Sequence, residues 1–351
     1  APADAGADNV CDVTVQVSDG NGGTDTQAIA VTVTNVNEAP LITSNGGGAT
    51  ASVSAAENQS VATTVTASDV DGGAAVYSIV GGADAALFMI NASTGALTFL
   101  AAPNFEAPAD AGADNVYDVT VQVDDGNGGT DTQAIAVTVT NVNEAPLITS
   151  DAGGATATRN AAENATAVTT VTATDVDAAT MLTCSIRGGA DAAQFAINSS
   201  TGVLTFVSAP DFEVPTDIGG NNVYDVTVQV SDGALTDTQG IAVTVTNVNE
   251  APVITSDGGG TTASVSAAEN QTAATTVAST DVDGGAPSYS IVGGADAALF
   301  TIDASTGALS FAAAPNFEAP ADAGGNNVYD VTVQVADGAG GTDTQAIAVA
   351  V

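Results

Sequence analysis

The chain has 351 residues, with 41 Asp plus Glu against two Lys plus Arg and no His, for a formal charge of -39. Nucleic acid and anionic membrane surfaces are bound by Lys and Arg, so this composition excludes both as partners. Self-repulsion of this size destabilises a compact state unless cations neutralise it, which points to specific metal binding, to tolerance of high salt, or to both.

The apolar fraction is 44%, with nine Phe, five Tyr and no Trp, so each core is thin. No run is apolar and long enough for a transmembrane helix, and the first residues lack a positive, apolar signal segment. Cys11 stands where other copies of the pattern carry Tyr117, Tyr224 and Tyr329, and Cys184 where they carry Tyr77 and Tyr289. Both are expected as buried core substitutions, not as a disulfide.

The hexapeptide Asn-Val-Asn-Glu-Ala-Pro begins at Asn35, Asn141 and Asn247, a period of 106 residues. A repeat of that size can own a core, so the chain is a tandem array. Residues 1–38 match only the last third of a repeat, complete units run over 39–144 and 145–250, and 251–351 stops inside its final strand. The simplest expectation is a window on a longer array; the alternative is a subunit whose unfinished ends complete each other between molecules.

Within a unit, strand-like segments run from Ser60 to Ala67 and from Ala75 to Val80. The stretch Gly81 to Ala86 then makes a loop with one helical turn that Asp84 can cap. Phe88 and Ile90 lead into a turn over Asn91 to Gly95, and Leu97 and Phe99 follow with the same alternation. Tyr117, Val119, Val121 and Val123 share one face of the next strand, and Ile135, Val137 and Val139 share one face of the last. Period-two alternation of this kind reads as half-buried strands. Asp125 to Gly129 is the hairpin turn between them, because Gly and Asn tolerate the positive φ such turns demand. About seven strands per repeat give an all-β sandwich.

Oxygen donors recur with the period at the seams. They are Glu57, Glu163 and Glu269 before the second strand; Asn104 with Glu106, Asp211 with Glu213 and Asn316 with Glu318; the hexapeptide itself; and the Asp-Val-Asp pairs Asp69 and Asp71, Asp175 and Asp177, Asp281 and Asp283. A further Asp opens each hairpin, at Asp19, Asp125, Asp232 and Asp337. Ca²⁺ takes six to eight oxygens in a flexible shell, whereas Mg²⁺ keeps its waters in a tight octahedron. Absence of His argues against zinc and copper. The competing reading is that these Asp and Asn residues are turn formers, which is the preferred reading for Asn127 and Asp131.

At these residues, and at Phe88 to Leu97, the chain resembles the cadherin repeat in the form found in very large bacterial surface and secreted proteins. The resemblance covers the whole chain and implies a tandem array of seven-stranded Greek-key, immunoglobulin-like β-sandwiches in an elongated rod. It also implies up to three Ca²⁺ ions held between consecutive repeats. Carried over, the seam at Asn35 keeps Asn35, Asn37, Glu38, Asp69, Asp71 and Asp125. The next seam draws on Glu57, Asn104, Glu106, Asn141, Asn143 and Glu144 from one side, and Asp175, Asp177 and Asp232 from the other. The third uses Glu163, Asp211, Glu213, Asn247, Asn249, Glu250, Asp281, Asp283 and Asp337. The linker is one residue shorter than in animal cadherins, opens with Asn in place of Asp, and has Glu in place of an Asp-Asn pair. Two or three ions per seam are therefore expected.

The function this implies is a calcium-rigidified structural or adhesive rod, stalk or fibre segment of a bacterial surface protein, at the cell surface or secreted. Its partners would be calcium ions and neighbouring repeats or like chains. The alternative is a self-assembling filament subunit or a carbohydrate-binding adhesion module, although no exposed aromatic cluster supports a sugar platform. Enzymatic activity is not expected: the carboxylates repeat at every seam and there is no His or G-x-S-x-G motif. Asn58, Asn91, Asn164, Asn198 and Asn270 sit in N-x-S/T sequons that turn chemistry explains equally well.

Overall fold

Alternating Val and polar residues make the first element a hairpin. The computed structural model describes residues 6–177 and 181–351, so the first five residues of the partial repeat expected over 1–38 lie outside the described residues. Strand β1 (Val10–Ser18) pairs antiparallel with β2 (Thr24–Thr32). Asp19 closes the turn, its Oδ1 accepting the N–H groups of Asn21 and Gly23 at 2.8 and 2.9 Å.

Contacts divide the chain into two compact units, Ala1–Glu144 and Ala145–Val351. The first unit continues with β3 (Leu41–Ile42), β4 (Thr50–Ala56), β5 (Val61–Thr64), β6 (Ala67–Ser68) and β7 (Val76–Gly81). It ends with β8 (Phe88–Ile90), β9 (Ala96–Phe99), β10 (Val116–Asp124) and β11 (Thr130–Thr140). One sheet has the order β4-β11-β10-β7 and the facing sheet β5-β9-β8. These are the seven expected strands; the additional short pair β3–β6 was not visible in the sequence pattern. Strand β4 lies parallel to β11, from Thr50 opposite Ala134 to Ala56 opposite Thr140.

The inward residues are those the alternation selects: Val119, Val121, Val123, Ile135, Val137 and Val139 are buried against Phe88, Leu97, Phe99 and Tyr117. Phe99 meets the Tyr117 ring edge-on, with centroids 5.2 Å apart, and the Tyr117 hydroxyl accepts the N–H of Ala109 at 3.1 Å. A buried phenol thus keeps a polar partner.

Two local expectations are corrected. The strand over Ser60 to Ala67 is broken into β5 and β6, because the register shifts between Val61 and Thr63 and the Val65 N–H turns to Gly95 O at 2.8 Å. Gly95 has φ +68°, and a Cβ there would fall 2.0 Å from Val65 O, so only glycine fits. Asp84 precedes a 3₁₀ turn, Ala85–Leu87, but makes no side-chain cap. Its buried carboxylate instead accepts the N–H groups of Ala111 (2.7 Å) and Asp118 (2.8 Å), tying a long loop to β10. Asp191 and Asp296 do the same in their repeats.

The second unit contains the same topology twice. Thr156–Ala162 runs parallel to Thr236–Thr246, and Thr262–Ser266 parallel to Thr342–Ala350, each within a four-stranded sheet facing a three-stranded one. Each copy has its own core, centred on Phe206 and Tyr224 in one and on Phe311 and Tyr329 in the other. Cys11 and Cys184 are free thiols, as expected, but both are half-buried and not buried. Cys11 opens a hairpin whose Val13, Val15 and Val17 are themselves exposed. Cys184 lies in the strand Thr183–Gly188, and partial burial pushes its thiol upward from the usual range. Among the described residues no helix is long and apolar enough to cross a membrane.

Candidate metal centre

In the first unit, the linker after β2 is drawn onto two carboxylates of the following repeat. Asn35 Nδ2 donates to Asp71 Oδ1, Glu38 N–H to Asp71 Oδ2, and Asn37 Nδ2 to Asp125 Oδ2, each at 2.7 Å. Asp125 also accepts the N–H groups of Asn127 (2.7 Å) and Gly129 (3.0 Å), and Asp69 accepts that of Asp71 at 2.8 Å. The Glu38 N–H and the Asn35 amide hold the Asp71 carboxyl below its ordinary range, and the Asn37 amide and Asn127 N–H do so for Asp125. Asp71 in turn raises Glu38, by hydrogen bonding and by charge.

At the other end of that unit, Glu57 is buried and bridges two segments. Its Oε1 accepts the N–H of Val142 at 2.7 Å and its Oε2 that of Phe105 at 2.8 Å. Glu57, Glu106 and Glu144 place carboxylate oxygens within 4.8 Å of one another. Asn104 Oδ1 turns to the Ala107 N–H at 2.8 Å, and Asn143 Nδ2 to Glu144 O at 3.1 Å. Asn141 directly follows β11. In the second unit, Asp175 Oδ1 accepts the N–H of Asp177 (2.9 Å), and Asp232 Oδ1 those of Ala234 and Leu235 (both 2.6 Å).

The seam at Asn247 lies wholly inside the second unit. Glu163, buried, accepts the N–H of Val248 (2.6 Å) and of Phe212 (2.7 Å). Asn247 Nδ2 spans Glu213 Oε1 (2.8 Å) and Asp283 Oδ1 (2.7 Å), while Glu250 N–H reaches Asp283 Oδ2 at 2.5 Å. Asn249 Nδ2 donates to Asp337 Oδ2 at 2.8 Å, which helps hold that carboxyl below its ordinary range. The result is that oxygens of Glu163, Glu213, Glu250 and Asp283 lie within 4.8 Å of one another. Burial, then the charges of Glu163, Asp283 and Glu250, raise the Glu213 carboxyl above its usual range. Asp211 and Asp281 stand apart from this group, each capping its own loop through the N–H of Val214 (2.8 Å) and Asp283 (3.1 Å).

Four carboxylates this close, without Lys, Arg or His among them, repel one another unless a proton or a cation joins them. Glu250 Oε2 is buried with no hydrogen-bond partner among the described residues. The donors are all oxygen, the set a hard cation such as Ca²⁺ takes. The residues therefore fit such an ion. Sequence reasoning missed Asn58 and Asn164, whose amides donate to Glu144 and Glu250. The available signal was an Asn after each of Glu57, Glu163 and Glu269, held at φ near +60° where Asn is tolerated. Asp131, read as a turn former, is structural: its Oδ2 accepts the N–H of Ile42 at 2.8 Å.

The bacterial Ig domain matches residues 37–138 and 249–350, and the cadherin domain matches residues 157–248. Protocadherin Fat 1 of Homo sapiens is 29% identical over 318 residues, 86% of this chain and 7% of that protein. Halomucin of Haloquadratum walsbyi (strain DSM 16790 / HBSQ001) is 32% identical over 139 residues, 36% of this chain and 1% of that protein. The chain thus spans only a small part of the length of these curated relatives. Among solved structures, human CDH23 EC21-23 superposes with a TM-score of 0.55 at 19% identity, covering 89% of this chain and 100% of that one. The Protocadherin GammaB4 extracellular domain gives 0.52 at 22% identity, covering 99% and 56%. These likenesses are of fold: all-β, cadherin-like sandwiches. With its two matches spanning more than half of the sequence, the chain belongs to the bacterial Ig domain family, here in tandem with a cadherin domain.

Proposed function

We propose that this chain is part of an extracellular spacer or adhesive stalk whose consecutive repeats, divided at residues 39, 145 and 251, are stiffened by Ca²⁺ at their seams. The observation that carries the reading is the convergence of Glu163, Glu213 and Glu250 of one repeat with Asp283 of the next. When bound, Ca²⁺ supplies two positive charges to oxygens that otherwise repel. Asn247 and Asn249 already bridge the seam by hydrogen bonds, and rotating their amides would turn carbonyl oxygens inward. Glu163 fixes the linker through the Val248 N–H, and the Glu213 loop through the Phe212 N–H. The same roles fall to Glu57, Glu106 and Glu144, and to Asp71 and Asp125 with the linker Asn35 to Glu38.

Extracellular modules bind Ca²⁺ with Kd of about 10⁻⁴ to 10⁻³ M, which suits a calcium-rich medium outside the cell. The likeness to the Protocadherin GammaB4 extracellular domain supports that setting. Small-angle scattering of the full chain during calcium titration tests the proposal: the maximum dimension should rise and its distribution sharpen. Glu213→Ala, Glu106→Ala and Asp177→Ala should each blunt the response. An unchanged profile through millimolar Ca²⁺ would overturn the reading.

A further inference from the structure

One buried position is closed differently in each of the three repeats. After β3 and its counterparts the chain turns through Ser44-Asn45, Ser150-Asp151 or Ser256-Asp257, and the second residue of each pair adopts left-handed φ of 54°, 55° and 52°. A glutamine with 0% exposure lies beneath each turn: Gln133, Gln239 and Gln345. Its Nε2 donates to a loop carbonyl, Gly48 O, Gly154 O or Gly260 O, at 3.0, 3.1 and 3.1 Å. A threonine hydroxyl donates to the turn residue: Thr63 to Asn45 at 3.0 Å, Thr169 to Asp151 at 3.2 Å, and Thr275 to both oxygens of Asp257 at 3.1 Å. With its nitrogen committed to the loop, each glutamine has Oε1 left to accept a donor, and in the first repeat that oxygen faces the turn residue Asn45.

In the first repeat Asn45 Nδ2 is that donor, at 3.5 Å from Gln133 Oε1, and Ser44 Oγ accepts the Thr66 N–H at 3.0 Å. An aspartate has no such proton to give. Gln239 Oε1 and Gln345 Oε1 are accordingly buried without a hydrogen-bond partner among the described residues, and Ser150 Oγ and Ser256 Oγ are also without one there. The second repeat answers the added negative charge with Arg159, whose guanidinium pairs with Asp151. The third repeat carries Val265 at that position, leaving Asp257 with Thr275 as its hydroxyl donor and no cationic side chain.

We propose that Asp257, Gln345 Oε1 and Ser256 Oγ form a monovalent cation site in the third repeat, at the place where Arg159 supplies the positive charge in the second. The donors are one carboxylate, one amide oxygen and one hydroxyl, so their single negative charge is balanced by one positive charge, as the guanidinium balances it. A hard alkali ion is the ligand class that all-oxygen, mostly neutral donors select, and the chain's charge of -39 raises the local concentration of such ions. The site is independent of the linker carboxylates and of calcium there.

Crystals of the full chain grown with calcium and rubidium chloride test it directly. Anomalous density bridging Asp257 and Gln345 Oε1, lost in Val265→Arg and in Asp257→Asn, is the expected result. In solution, thermal unfolding at fixed calcium and ionic strength should shift down when sodium is replaced by tetramethylammonium, which is too large to enter. Both variants should lose that difference, Asp257→Asn because it reproduces Asn45. Absence of rubidium density, a water or Ca²⁺ at the position, or an alkali dependence unchanged in Asp257→Asn would overturn the proposal.

Discussion

Glu163 accepts the backbone N–H of Val248 at 2.6 Å, so a side chain near the start of a repeat grips the linker that leaves it. Its second oxygen holds the Phe212 N–H at 2.7 Å. Glu163→Gln keeps the shape but turns one acceptor into a donor facing an N–H. The expected cost is about 1–3 kcal/mol, the usual penalty for leaving a buried polar group unsatisfied. Thermal unfolding with and without calcium should show lower stability in both states and a smaller gain from the ion. Glu269→Gln, where the Phe317 N–H lies at 3.1 Å from an incompletely buried carboxylate, should cost less.

Asp191 is buried and accepts two backbone N–H groups, from Ile218 at 2.7 Å and Asp225 at 2.8 Å. Asp191→Ala strands both. Urea denaturation is expected to show a loss of about 1–3 kcal/mol for each unpaired N–H, without any change in calcium binding by isothermal titration.

The Tyr224 hydroxyl accepts the Thr216 N–H at 3.1 Å while its ring packs edge-on against Phe206. Tyr224→Phe keeps the packing and removes the acceptor, so a loss of about 1 kcal/mol is expected in the same urea assay.

Asp303 stands where Asn91 and Asn198 stand in the other repeats. The Ser305 hydroxyl, then the Thr306 and Ser305 N–H groups, lower its carboxyl to about 2 from 3.8. A carboxyl lowered on folding contributes stability above its unfolded value and loses it as pH falls through the folded one. The contribution should therefore be complete above pH 3.8 and fade towards pH 2. Melting curves across that interval should fall more steeply for the native chain than for Asp303→Asn, which reproduces the other repeats.

Much of this architecture is legible in the sequence because its signals are periodic. Val119 to Val123 and Ile135 to Val139 alternate cleanly, and the carboxylates of each seam recur at intervals of 105 to 107 residues. The pair β3–β6 left no trace, since two residues cannot display alternation. Asp84 was misread because a cap and a buried loop anchor need the same carboxylate, and only the fold brings the Ala111 N–H to it. The hydrogen bonds of Asn35 and Asn37 to Asp71 and Asp125 were hidden for a similar reason: an amide serves as ligand or donor according to what faces it.

The parallel ladder of β4 and β11 also bears on how a repeat carries load. Tension on the chain pulls β4 from its leading end at Thr50 and β11 from its trailing end at Thr140, so the two strands are dragged past each other lengthwise. All seven paired positions must then give way together in shear, whereas an unzipping geometry would release them one by one. Each sandwich is thus wired to resist stretching along the direction in which the polypeptide itself runs.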